Sequence, residues 1–280
     1  MSEKVAIVTG ANKGLGLAIV KELCKNYEGT VYLTSRDEKR GYEACEQLRE
    51  LDIKPQYHQL DITDSDSIEK FCFFIRSHHK NIDLLINNAG ILFLKDCQES
   101  KLYQAEQTLY VNFFALVNFT EAVLPLMSDH STILNISSSS GHLSRLPSVE
   151  FRERFQDPKL NLEGLKVLMR EYIDAVKLNN DVDSWGSSPY VVSKIGVNAY
   201  TFMLNRRLES RDVKVNCVHP GYVMSDMTRG AGSVTPDQAA QICVDLALNP
   251  DGGGLYVWHN GAKVQWDGKD PRSYIDGKTL

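Results

Sequence analysis

The sequence predicts an α/β fold, a parallel sheet of about seven strands with helices on both faces. Short apolar runs alternate with longer stretches of helical period along most of its 280 residues. Most of these runs are continuously apolar, as strands covered on both faces must be. Strands that alternate with helices imply right-handed crossovers, and hence parallel neighbours.

Residues 5–8 (Val-Ala-Ile-Val) read as the first strand, with a helix over 15–27. Residues 30–34 precede a helix over 38–51, and 57–60 precede one over 65–78. Residues 83–86 lead into a long helical stretch that ends near 127. The remaining strands fall at 132–136, 213–218 and 255–258. Between Gly141 and Pro189 the rhythm breaks, while Leu165, Leu168, Tyr172 and Val176 recur at helical spacing. Residues 142–189 are therefore expected to be a helical insertion, too short and polar for a core of their own. The polar tail over 267–280 is expected to be poorly ordered.

Composition narrows the function classes. The formal charge of −5 argues against a nucleic-acid partner, which would need a basic surface. No run approaches the roughly 18 apolar residues of a membrane span, so no membrane partner is expected. The N-terminus lacks the features of a signal peptide. Six cysteines show neither a CxxC pair nor zinc spacing, so no metal is expected and the thiols read as reduced. The sequon at Asn135 lies inside a strand signal, where a glycan has no room. These readings point to a cytoplasmic protein.

The first turn reads Thr9-Gly10-Ala11-Asn12-Lys13-Gly14-Leu15-Gly16, between a strand and a helix. In that context the glycines allow a tight turn, a pyrophosphate against the backbone, and close helix packing. The fold is then a Rossmann-type, doubly wound sheet, and residues 1–280 form a single dinucleotide-binding and catalytic domain. The second strand ends in Ser35-Arg36 rather than in an acid. With Lys13, Arg36 suits a ribose 2′-phosphate, so NADPH/NADP+ is the expected cofactor. Asp61 and Ile62, after the third strand, would flank the adenine, although Asp61 could equally cap the next helix. Asn88, Ala89 and Gly90, in Asn87-Asn88-Ala89-Gly90, would approach the ribose. Pro220, Gly221, Val223 and Ser225 complete the expected cofactor set.

Tyr190 and Lys194 are four residues apart at a helix start and so share a face. An ammonium near a phenol lowers its pKa toward the working range. Ser138, at the end of the fifth strand, could donate to a substrate carbonyl. Tyr222, Met224, Met227 and His142 are candidate lining residues of a broad apolar pocket for a small-molecule carbonyl substrate, with Ser138, Tyr190 and Tyr222 contacting it.

These motifs resemble the short-chain dehydrogenase/reductase family over nearly the whole chain. Residues 9–16, 87–90, Asn112 in Tyr110-Val111-Asn112, Ser138 with Gly141, and Tyr190 with Lys194 carry the resemblance in order. It implies that Asn112, Ser138, Tyr190 and Lys194 are catalytic. Tyr190 would protonate the developing alkoxide as nicotinamide delivers hydride. Lys194 would tune Tyr190 and hold the ribose, and Asn112 would hold a relay water. Tyr190 lies 52 residues beyond Ser138, farther than in most members. That insertion, with Asn12-Lys13-Gly14 and Arg36, resembles the monomeric NADPH-dependent carbonyl reductase branch. The activity so implied is reduction of aldehydes, ketones or quinones by a monomer. A non-catalytic NADPH-binding regulatory protein, or an alcohol dehydrogenase working in the oxidative direction, are the alternatives.

Overall fold

A computed structural model describes residues 4–186 and 188–278. Its strands are β1 (Lys4–Val8), β2 (Gly29–Ser35), β3 (Gln56–Gln59), β4 (Ile82–Asn87), β5 (Met127–Ile136), β6 (Lys214–Val218) and β7 (Tyr256–Val257). All pair in parallel, in the order β3-β2-β1-β4-β5-β6-β7. The strand order reverses between β1 and β4, where sheets of this type open a crevice at their carboxyl ends. β5 begins at Met127 rather than near 132, because Ile82 already pairs with Met127 ahead of a register shift.

On one face, α1 (Gly14–Asn26), α2 (Glu38–Arg49) and α10 (Pro236–Leu248) enclose Val8, Ile19, Leu33, Leu134 and Val244. On the other lie α3 (Ser65–His78), α4 (Lys101–Leu109), α5 (Leu116–Val123) and α9 (Pro189–Arg207). They bury Ile7, Phe71, Leu85, Ile133, Ile195 and Val215. A π-helical turn, Tyr110–Ala115, joins α4 to α5. The run Lys101–Leu126 is long and apolar enough to cross a membrane by length and composition, which the sequence reading had excluded. Its Leu109, Phe113, Val117 and Phe119 are buried in this core, so the apolarity serves packing.

The insertion is helical, with α6 (Val149–Gln156), α7 (Leu162–Leu178) and α8 (Val182–Trp185). Leu165, Leu168 and Tyr172 are buried and Val176 half-buried. α7 packs against α4 and α9. Trp185 stacks on Phe151 with ring centroids 4.2 Å apart, which fixes α8 to α6.

The tail departs from expectation. It forms α11 (Pro271–Tyr274) and is anchored by side chains. Asp270 accepts from Ser144 Oγ at 2.9 Å and from Arg272 Nη2 at 2.6 Å. Asp276 accepts from Trp258 Nε1 at 2.9 Å and bonds His259 Nε2 at 3.0 Å. Ile275 packs beside Trp258. Thr279 and Leu280, also assigned to the tail, lie outside the described residues.

Candidate active site

The carboxyl ends of β1, β4, β5 and β6 bring most of the singled-out residues to one edge of the sheet. Gly10 has φ +61°, a left-handed conformation that disfavours side chains. A Cβ on Gly16 would sit 2.5 Å from Asn88 Nδ2, so the helix meets the β4 loop only because that residue is glycine. Thr9, to which no site role had been given, organises this corner. Its hydroxyl accepts from the backbone N–H of Asn88 and Ala89, at 3.0 and 3.1 Å. Asn88 Nδ2 donates in return to the Thr9 and Gly10 carbonyls. Asn87 faces elsewhere: it donates to Thr120 Oγ1 and Asn135 Oδ1 inside the protein, so it braces strands.

The dinucleotide fits this edge on two grounds. The first turn of α1 has no side-chain cap and no acid, so its N–H groups and dipole are free to meet a phosphate near Asn12, Gly14 and Leu15. Lys194 is buried, and Ile136 O, at 2.7 Å, is the one hydrogen-bond acceptor found for its three N–H donors among the described residues. Ribose hydroxyls would satisfy the others.

The outer cofactor residues are arranged less simply. Lys13 does not stand free beside Arg36 but pairs with Asp226 at 2.6 Å, with both side chains largely exposed. Arg36 is exposed at the end of β2. Asp61 accepts from Thr63 N and Oγ1 at 2.9 and 2.6 Å, while Asp64 caps α3. Asp61 is thus a turn former whose second oxygen has no recorded partner among the described residues. Ile62 is buried in the core below it. Gly90 lies against Asn112 Oδ1. Beyond β6, Pro220 and Val223 are buried, Gly221 has φ +93°, and Ser225 opens a short 3-10 turn. Arg229 pairs with Asp96 at 2.5 Å, which ties the loop after β6 to the loop after β4. Tyr222 and Met224 are exposed beside these loops and Met227 is half-buried. His142 is not a lining residue. It is fully buried, bonded to Ser144 Oγ at 2.9 Å and to Gln265 O at 3.0 Å, because the tail covers it.

The acid-base residues lie close together. Burial pushes the Tyr190 pKa up to about 12, and the nearby Ser138 hydroxyl pulls it partly back down. Lys194 is not among the causes, contrary to the simplest reading of the four-residue spacing. Its Nζ is 5.6 Å from the Tyr190 ring centroid, drawn toward Ile136 O. Burial in turn lowers the Lys194 pKa to about 8. Asn112, in the π-helical turn, is heavily committed. Its Oδ1 accepts from Ile91 N at 2.7 Å, and its Nδ2 donates to Ile91 O at 2.9 Å and Ser193 Oγ at 3.2 Å. It therefore braces the β4 loop against α9, one residue from Lys194.

A family model described as short chain dehydrogenase matches residues 4–149 and 178–234. The gap between the two matched segments falls within the helical insertion. Carbonyl reductase [NADPH] 3 of Mus musculus is 40% identical over 256 residues, which cover 88% of this chain and 91% of the relative. Carbonyl reductase [NADPH] 1 of Sus scrofa is 36% identical over 283 residues, covering 97% and 96%. The solved structure of salutaridine reductase from Papaver somniferum is 30% identical with a TM-score of 0.83, covering 90% of this chain and 99% of that one. The chain belongs to the short-chain dehydrogenase family.

Proposed function

We propose that this protein reduces aldehydes, ketones or quinones to alcohols with NADPH, and that Tyr190 is the proton donor. The observation that carries the reading is the convergence of the Ser138 hydroxyl, near enough to the Tyr190 phenol to lower its pKa, with the buried ammonium of Lys194, 5.6 Å from the Tyr190 ring centroid. Both lie on the sheet edge that holds the uncapped glycine turn. The names of the mammalian relatives, each a carbonyl reductase [NADPH], support the same activity.

NADPH, when bound, supplies the hydride that reduces the carbonyl carbon. The protein's own residues handle the oxygen. Ser138 and Tyr190 hydrogen-bond the carbonyl oxygen, stabilising the negative charge that develops there. Tyr190 then releases its phenolic proton to that oxygen, which gives the alcohol and leaves a phenolate. A phenol with a pKa near 12 is protonated at neutral pH, the form an acid requires. Lys194 would offer its spare N–H donors to the ribose and stabilise the phenolate. Asn112, with both amide N–H groups used, has a spare lone pair on Oδ1 to orient a water toward Lys194.

Lys13 and Arg36 would hold the 2′-phosphate, with Lys13 exchanging Asp226 for it. Asp61, Ile62, Asn88, Ala89, Gly90 and the residues from Pro220 to Ser225 would line the rest of the cofactor cleft. The whole chain would act as one catalytic domain, monomeric and cytoplasmic. The six cysteines are all free thiols, which suits a reducing compartment.

The direct test is NADPH consumption across a panel of an aromatic ketone, an aldehyde and a quinone, run beside NADH. Turnover with none of them, despite tight NADPH binding, would leave only a binding role.

A further inference from the structure

Helix α9 carries a third residue on the stripe of Tyr190 and Lys194. Asn198 lies four residues beyond Lys194 and is completely buried. Its Oδ1 accepts from Ser137 Oγ at 2.5 Å, and its Nδ2 donates to Gly141 O at 3.0 Å. One side chain thus holds the residue before Ser138 and the residue three after it. The Tyr256 phenol holds the same turn from β7, donating to Ser138 O at 2.6 Å.

The turn is pressed hard onto the helix. A Cβ on Gly141 would lie 2.7 Å from Asn198 Nδ2, 2.7 Å from Ser137 Oγ and 2.9 Å from Lys194 O. No ordinary side chain fits there, so glycine at this position permits the contact that Asn198 secures. Trp266 Nε1 donates to the same Gly141 carbonyl at 2.6 Å.

We propose that Asn198 is a positioning residue for Ser138, fixing the Ser137–Gly141 turn in register with the helix that carries Tyr190 and Lys194. Ser138 and Tyr190 come from elements remote in sequence, and a shift of a fraction of an ångström takes their hydroxyls out of hydrogen-bonding reach of one carbonyl oxygen. Asn198 removes that freedom by tying the serine turn to the tyrosine's own helix. A buried network of directed hydrogen bonds also holds one geometry rather than several. The inference rests on Ser138 and Tyr190 performing the chemistry proposed above.

The test is a double-mutant cycle of Asn198→Ala and Ser138→Ala, read by kcat for carbonyl reduction, NADPH affinity and the pH profile of alcohol oxidation with NADP+. Asn198→Ala is expected to lower kcat by about tenfold or more, equivalent to at least one mispositioned hydrogen bond. NADPH affinity should change by less than about twofold, since the network touches Ser138 rather than the glycine turn. In the Ser138→Ala background the same change should have little further effect, because the group it positions is gone. Oxidation needs the phenolate, and the Ser138 hydroxyl lowers the Tyr190 pKa, so displacing it raises that pKa. The acidic limb of the oxidation profile should therefore move to higher pH. Should Asn198→Ala not fold, Ser137→Ala removes one anchor alone and is expected to move kcat and the pH profile in the same direction, by less, with NADPH affinity again nearly unchanged. Full additivity in the cycle, or an unmoved pH profile with reduced kcat, would show a merely structural asparagine and overturn the inference. A Ser138→Ala enzyme with undiminished kcat would instead overturn the underlying assignment of Ser138, and the inference with it.

Discussion

Lys194 donates through Nζ to Ile136 O at 2.7 Å, which ties the buried ammonium to the strand that leads into Ser138. The lysine is therefore aimed by the sheet rather than by its neighbour Tyr190. Its burial also lowers its pKa from 10.5 to about 8. The unfolded chain still binds this proton between pH 8 and 10.5, where the folded protein has released it. Stability contributed by this group therefore rises with pH across that window and is lowest below it. Lys194→Met should stabilise the protein most below pH 8 and remove that rise, read as the difference between two melting-temperature profiles.

Cofactor affinity should move the other way. If the ribose hydroxyls accept from the ammonium, NADPH favours protonated Lys194. Binding should then weaken as pH rises through about 8, with proton uptake on binding above it. Titration calorimetry in buffers of different ionisation enthalpy measures that uptake. A flat affinity profile that matches Lys194→Met would remove Lys194 from the cofactor site.

Tyr190→Phe should leave NADPH binding nearly intact and lower turnover by on the order of 10²-fold or more. Ser138→Ala should also lower turnover, through loss of a donor to the carbonyl oxygen. Near-normal rates for Tyr190→Phe with several carbonyl substrates would mean that another group supplies the proton.

Replacing both Lys13 and Arg36 with neutral residues should weaken NADPH binding far more than NADH binding. Each lost charge-assisted bond to a 2′-phosphate corresponds to roughly a tenfold or greater change. The Lys13–Asp226 pair adds a second expectation. Asp226→Asn removes a competitor for Lys13 and should tighten NADPH modestly, since exposed pairs are weak. Equal affinity of the unmodified protein for the two cofactors would contradict both.

Much of this arrangement was legible in the sequence because it depends on local spacing. The Tyr190–Lys194 interval, the glycine turn and the strand-helix alternation each follow from neighbours within a few residues. What was missed depends on partners far apart. Asp270 and Ser144 are separated by 126 positions and Lys13 and Asp226 by 213, so composition alone made the tail look loose and Lys13 look free. His142 reads as a pocket residue until the tail is seen to cover it. Asn198 is the instructive omission. The period that relates Tyr190 to Lys194 reaches it in one more step, but only the Ser137 and Gly141 contacts give it a task.

Assembly is the last expectation, and it rests on α7. Leu165, Leu168, Met169 and Tyr172 are buried, and the helix lies on α4 and α9. Met169 reaches so far into that seam that a Cβ on Gly196 of α9 would come within 2.7 Å of its sulfur. Without the insertion, the face made by α4 and α9 would lie open to a second copy of the chain. Here that face is covered from within the chain. No large apolar patch should remain there to drive association. The protein should sediment as a monomer near 31.5 kDa at micromolar concentration. Polar substitution at the seam supplies the converse. Leu165→Asp with Leu168→Asp should detach α7, expose the α4 and α9 surface, and produce dimers or aggregates while the sheet remains folded by circular dichroism. A stable dimer of the unmodified protein would refute the blocking role of the insertion and leave the catalytic assignment untouched.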